Sequence, residues 1–188
     1  MIRPTYLEIE EELKRINYKE KYRNTIIHTI YTLITVSALS VLIATLFLPV
    51  LQIYGKSMEP TLIQNDIVVS LKRSEIKQGD IVSFYYNNKI LVKRAIAFSG
   101  DWVDMDKEGN VYVNGRLLDE PYIKEKHLGD TNIVFPYQVP ENRLFVIGDD
   151  RATSIDSRNK SVGCVSDEQI VGVIKFRIWP IDNIGPIE

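Results

Sequence analysis

Three short segments carry residues able to do chemistry together. The first, Gly55-Lys56-Ser57-Met58-Glu59-Pro60-Thr61, sets a serine between a glycine and a proline in a restricted stretch of chain. On its own it reads equally as a turn with a capping or solvated hydroxyl. The second, running from Lys89 to Phe98, alternates so that Leu91, Lys93, Ala95 and Ala97 share one strand face. A lysine among apolar neighbours is pushed toward its neutral form. Lowering its pKa from about 10.4 to about 7 takes roughly 4 to 5 kcal/mol, which burial can supply. A neutral Lys93 within hydrogen-bond reach of Ser57 would accept its proton, the serine-lysine variant of nucleophile activation. The alternative is a lysine that snorkels from a strand edge. The third segment, residues 148–158, is dense in charges and hydroxyls (Asp149, Asp150, Arg151, Ser154, Asp156, Arg158). Its charges can pair with one another and with Arg94, which alternation turns away from Lys93; a solvated loop is the competing explanation.

These segments need a rigid frame, and the text after residue 60 describes one. Short β-branched and aromatic runs at residues 66–70, 80–86, 90–98, 111–113, 143–147 and 170–179 are separated by Asn87-Asn88, Glu108-Gly109-Asn110, Asn114-Gly115 and Gly148-Asp149. Such residues tolerate turn conformations, and the spacing predicts a mainly β domain, an antiparallel sheet or partly closed barrel.

Ahead of that domain, residues 25 to 55 contain no Lys, Arg, Asp or Glu. About 20 apolar residues cross a hydrocarbon core of roughly 30 Å, so this stretch predicts an uncleaved N-terminal transmembrane helix. The organisation expected is a cytoplasmic segment over residues 1–24, an anchor over 25–54 and an extracytoplasmic catalytic domain over 55–188. Lys14, Arg15, Lys19, Lys21 and Arg23 precede the span and only Lys56 follows it closely, which puts the N-terminus in the cytoplasm. Residues 5 to 22 read as a charged helix, solvated or lying among the lipid headgroups.

Composition narrows the rest. A formal net charge of −2 and the lack of a basic stripe speak against nucleic acid as a partner. One cysteine, Cys164, forms no internal disulfide and reads as a small buried residue, and two histidines form no metal cluster. No metal and no cofactor is expected.

Taken in order, the motifs resemble bacterial type I signal peptidase in its short, single-span form. They are Ser57-Met58-Glu59-Pro60-Thr61-Leu62, Gly79-Asp80-Ile81-Val82, Lys93-Arg94 with Gly100-Asp101, and Gly148-Asp149-Asp150-Arg151 with Ser154-Ile155-Asp156-Ser157-Arg158. The resemblance covers roughly residues 23 to 180. It implies a plasma-membrane serine endopeptidase that cuts signal peptides from exported preproteins after small residues, in possible association with the secretion machinery. It implies Ser57 as nucleophile, Lys93 as general base and Ser154 as the hydroxyl that orients the lysine. It also implies structural ion pairs Asp149–Arg94 and Asp156–Arg158. The Ser57 backbone N–H would hold the oxyanion in part, while Gly55 stands where some members carry a second donor hydroxyl. A preprotein adding as a strand would lie near Ile53 to Ser57 and along Ile81, Val82, Ser83 and Phe84.

Asp150 departs from the family's usual Asn, and Ala97 and Ser99 from its common Gly and Pro. Asp150 near Lys93 would stabilise the ammonium unless Arg151 or Arg158 neutralised it. Rival readings are a catalytically weak or inactive paralogue acting in surface-structure assembly, a self-cleaving serine-lysine regulator, and a histidine-based protease using His127. Neither a DNA-binding pattern nor a buried setting for His127 supports the last two.

Overall fold

A computed structural model describes residues 5–72 and 74–187. The charged segment and the apolar segment form one continuous helix, α1, over Tyr6–Phe47. Its charge-free part, residues 24–47, rises about 36 Å, enough for a hydrocarbon core of roughly 30 Å. The helix is long and apolar enough to cross a membrane. The threonine hydroxyls inside this stretch are satisfied locally. Thr25, Thr29, Thr32 and Thr35 each donate to the carbonyl four residues back at 2.8–2.9 Å, which removes the cost of a polar group in lipid. Upstream, Glu10 pairs with Lys14 one turn on at 2.8 Å.

The anchor predicted over 25–54 is shorter than its apolar text. Pro49 disfavours helical conformation at Leu48, and α1 stops at Phe47. Val50–Gln52 is instead a strand, β1, and Ile53 is buried in a protein core. The last apolar residues of the run therefore serve packing, and the chain divides into two compact units between Leu46 and Phe47.

The second unit is strand-rich and antiparallel throughout. After β1 come β2 (Ile67–Leu71), β3 (Ile81–Tyr86), β4 (Lys89–Ala97), β5 (Trp102–Met105), β6 (Val111–Val113) and β7 (Arg116–Leu117). β8 (Tyr137–Gln138), β9 (Arg143–Ile147), β10 (Val165–Ser166), β11 (Ile170–Trp179) and β12 (Gly185–Pro186) complete it. One sheet has the order β1-β2-β11-β3-β4-β9-β10, with β12 on β11; the other is β7-β6-β5-β8. No pairing closes either sheet into a full barrel among the described residues.

The turn residues account for the two tight hairpins. Asn87 and Asn88 both have positive φ (44° and 59°) and join β3 to β4 with Tyr86 opposite Lys89. Asn114 and Gly115 do the same between β6 and β7. Two central residues at positive φ match the strand twist, which fixes register and hence which side chains face inward.

Three apolar clusters lie in this unit. One packs Val82, Phe84, Ala95, Leu144, Val146, Val165 and Val173, and a second surrounds Ile96, Val103, Phe145, Ile147 and the buried Cys164. The third, with Ile53, Met58, Leu62, Val68, Ile81 and Ile174, underlies the serine segment. β4 crosses this interior and is buried on both faces from Lys93 to Ala97, where a bulge against β9 lies between Ala95 and Ala97.

Candidate active site

Ser57 is held from below and behind. Glu59 N donates to Lys56 O and Leu62 N to Met58 O, both at 2.8 Å, winding residues 56–62 into tight turns. Met58 and Leu62 are buried and pin those turns to the third cluster. Thr61 Oγ1 donates to Asp149 Oδ2 at 2.5 Å, and the Ser57 carbonyl accepts Asp150 N at 3.1 Å. The serine segment is thus tied to the third motif at both ends.

Lys93 comes from β4, opposite Val82 of β3, and is 4% exposed. Its Nζ lies 2.6 Å from Ser57 Oγ, within the hydrogen-bonding range expected. Burial is the main influence on the amine and lowers its pKa to about 8; Asp156 opposes this, Arg158 adds to it and Asp149 opposes it. The snorkelling alternative does not describe this lysine.

Both ion pairs implied by the resemblance form. Arg94 gives Nε to Asp149 Oδ1 (2.9 Å) and Nη2 to Oδ2 (2.7 Å), and its Nη1 donates to Gly79 O at 2.6 Å. Arg158 binds Asp156 through Nε and Nη2, each at 2.8 Å, while Gly148 N donates to Asp156 Oδ2 at 3.0 Å. Burial pushes the Asp156 carboxyl up, but the Arg158 hydrogen bond and charge outweigh it and hold the group below its ordinary value.

Ser154 is buried beside Gly148; among the described residues its hydroxyl makes no hydrogen bond to Lys93, and it lies against Asp156, whose carboxyl it helps to hold below its ordinary value. Gly148 makes that proximity possible. A Cβ there would stand 2.2 Å from Ser154 Oγ and 2.5 Å from Ser57 O.

Two expectations need correction. Asp150 is not neutralised by Arg151 or Arg158. Its carboxylate caps the next turn, accepting Thr153 Oγ1 at 2.7 Å and Thr153 N at 3.3 Å, while Arg151 pairs with Glu120 and Arg158 with Asp156. The carboxylates that act on Lys93 are Asp156 and Asp149. Nor do Ile81, Val82, Ser83 and Phe84 offer a docking edge: β3 is paired with β4 on one side and β11 on the other, and all four side chains are buried. Of the proposed substrate contacts, the stretch from Ile53 to Ser57 lines the cavity at the nucleophile and Ile81 to Phe84 do not. That cavity, of about 80 Å³, runs between Gln52, Ile53, Tyr54 and Gly55 on one side and Ile90, Leu91 and Val92 on the other. β9 pairs with β4 only from Arg94 onward, so residues 89–93 keep one edge of the strand free beside the cavity.

Several residues of the site escaped sequence reasoning. Thr61 was part of a quoted motif without a role, and Glu120 and Tyr122 lie in the loop between β7 and β8 with no pattern to mark them. His127 Nδ1 accepts Gly129 N at 2.8 Å, and the residue lines a different cavity, of about 210 Å³, with Lys124, Glu125 and Asp150.

The family model described as "Signal peptidase, peptidase S26" matches residues 26–179. A signal peptidase I of Bacillus amyloliquefaciens is 33% identical over 183 aligned residues, covering 92% of this chain and 98% of that one. A signal peptidase IB of Staphylococcus aureus (strain COL) is 36% identical over 151 residues, 70% of this chain and 78% of that one. A crystal structure of a signal peptidase I from Enterococcus faecalis V583 is similar at a TM-score of 0.46 and 28% identity, over 53% of this chain and 97% of that one. With a family match spanning most of the chain and relatives aligned nearly end to end, this chain belongs to the signal peptidase family, peptidase S26.

Proposed function

We propose that this chain is a membrane-bound endopeptidase that removes signal peptides from exported preproteins, with Ser57 as nucleophile and Lys93 as general base. The observation that carries the assignment of roles is the 2.6 Å separation of Ser57 Oγ and a buried Lys93 Nζ. Neutral Lys93 takes the Ser57 proton as Oγ attacks the scissile carbonyl. The resulting ammonium then protonates the departing amine, leaving an ester on Ser57. A water, deprotonated by the regenerated amine, hydrolyses that ester and frees the serine.

The tetrahedral oxyanion is held by the Ser57 backbone N–H. Gly55, at φ 85°, contributes no side-chain donor. The substrate lies extended between residues 52–55 and the free edge of β4 at residues 89–93, gaining backbone hydrogen bonds as an added strand. The cavity beside Ser57 receives the side chain before the scissile bond, where the small residues Ala, Ser or Gly are expected. Ser154, packed on Gly148 in the same loop as Asp156, is the hydroxyl assigned to orient Lys93.

α1 crosses the plasma membrane with its five basic residues on the cytoplasmic side, and the strand-rich unit faces outward. Anchoring confines enzyme and substrate to one surface, which raises their effective concentration. Preproteins reach it there from the secretion machinery.

The test is cleavage of a preprotein bearing a small-x-small site by the full chain in lipid vesicles. Wild type is expected to cut at that site, while Ser57→Ala and Lys93→Ala lose about a thousandfold or more of the rate. Cleavage that survives in either variant would assign the chemistry elsewhere.

A further inference from the structure

The loop between β7 and β8 sends two side chains into the region behind the Ser57–Lys93 pair. Glu120, 7% exposed, accepts both Nη atoms of Arg151 and the Tyr122 hydroxyl, the latter at 3.2 Å. The Tyr122 ring covers the guanidinium of Arg94, with Arg94 Cζ 3.7 Å from the ring centroid. One hydrogen-bonded unit on this loop therefore touches two buried arginines at once.

We propose that Glu120 and Tyr122 are positioning residues for the Ser57–Lys93 pair, acting through Arg151 and Arg94. This inference rests on the catalytic reading of that pair given above.

The route through Arg94 is electrostatic. The groups that act on Lys93 are Ser57 from the turn segment and Asp149, Asp156 and Arg158 from residues 148–158; Arg94, on the opposite face of the same strand, bears on it through Asp149. Asp149 favours the ammonium, and the two hydrogen bonds from Arg94 compensate it. Those bonds need the guanidinium in the carboxylate plane, and a ring stacked on its face holds it there. Removing the ring frees Arg94 to tilt, leaves Asp149 less compensated and keeps Lys93 protonated to higher pH.

The route through Arg151 is geometric. Arg151 Nε donates to Gly148 O at 3.2 Å, and the Arg151 carbonyl accepts Arg158 Nη1 at 3.0 Å. Gly148 is the residue against which both Ser57 O and Ser154 Oγ are packed. Arg158 is the partner of Asp156. Glu120 thus fixes the arginine that braces both sides of the loop behind the lysine.

The experiment compares the full chain with Tyr122→Leu, Tyr122→Phe and Glu120→Gln in vesicles. Each variant is first checked for an unchanged far-ultraviolet spectrum and a cooperative melt. We expect Tyr122→Leu and Glu120→Gln to lower kcat about tenfold with KM within about twofold. In Tyr122→Leu the acid limb of the kcat profile moves up by about half a pH unit or more. Tyr122→Phe keeps the ring on Arg94 and recovers most of the loss. Unchanged kcat and pH profile in folded Tyr122→Leu and Glu120→Gln would overturn the proposal, as would a loss equal in Tyr122→Phe and Tyr122→Leu. If wild type cleaves nothing, the catalytic reading fails separately. The Lys93 titration, followed by NMR with labelled lysine, then decides: an upward move in Tyr122→Leu supports the coupling and an unmoved midpoint removes it.

Discussion

Lys93 is where stability and chemistry oppose each other. Its pKa falls from 10.5 to about 8 because burial disfavours the ammonium. The unfolded chain therefore holds the extra proton between pH 8 and 10.5, and stability contributed at this position rises with pH across that window. Below pH 8 the folded state bears the full penalty, about 3 kcal/mol by linkage at 1.36 kcal/mol per pH unit. Lys93→Met is accordingly expected to abolish cleavage and to raise the melting temperature at pH 7, with the gain shrinking toward pH 10.5. Calorimetry at the two pH values checks this; an equal gain at both would mean that packing, not charge, sets the difference. The same lysine predicts the activity profile. kcat/KM should rise with pH to a midpoint near 8, because only the neutral amine accepts the Ser57 proton. A midpoint close to 10 would show that Lys93 stays charged in the working enzyme.

At the scale of the element, residues 148–158 are the part on which the site turns. This loop supplies Asp149, Ser154, Asp156 and Arg158 and packs Gly148 directly on the Ser57 carbonyl. Gly148→Ala would press a methyl carbon into Ser57 O and Ser154 Oγ at 2.5 and 2.2 Å. Displacement of about 1 Å at a reacting group costs on the order of a hundredfold. We expect at least that loss in kcat with the chain still folded, read by cleavage assay beside a thermal melt. Asp149→Asn tests the ion pair: it leaves Arg94, 1% exposed, without its counter-charge. The destabilisation expected in chemical denaturation is about 3–5 kcal/mol. A loss below 1 kcal/mol would mean that its other contacts, Gly79 O, Thr61 Oγ1 and the Tyr122 ring among them, suffice for Arg94.

At the scale of the whole molecule, the helix and the strand-rich unit divide the work of location and cleavage. Protease added outside right-side-out vesicles should digest the strand-rich unit and spare the segment before α1's apolar part. Digestion of residues 6–23 instead would reverse the orientation.

The sequence by itself determined a good deal. Long apolar text without charges, the Asn-Asn and Asn-Gly turns of two hairpins, and ordered motifs around Ser57, Lys93 and residues 148–158 are local patterns, and local patterns survive in one dimension. The alternation that set Lys93 and Arg94 on opposite faces was legible for the same reason, since a strand turns each side chain by half a revolution. Short strands such as Val50–Gln52 and Tyr137–Gln138 were not, because two or three residues carry no period and gain their structure only from a partner.

Tertiary structure alone decided three things. Leu51 and Ile53 went to a core and not to lipid, since hydrophobicity does not distinguish the two solvents. β3 became a central strand, so Ile81 to Phe84 lost the edge that substrate pairing requires, because pairing order is set by long-range packing. Arg151 chose Glu120, 31 residues away, over its neighbour Asp150, which capped its own turn with Thr153. Charge pairing in an interior depends on which groups burial brings together and leaves without water, and adjacency in sequence does not decide that.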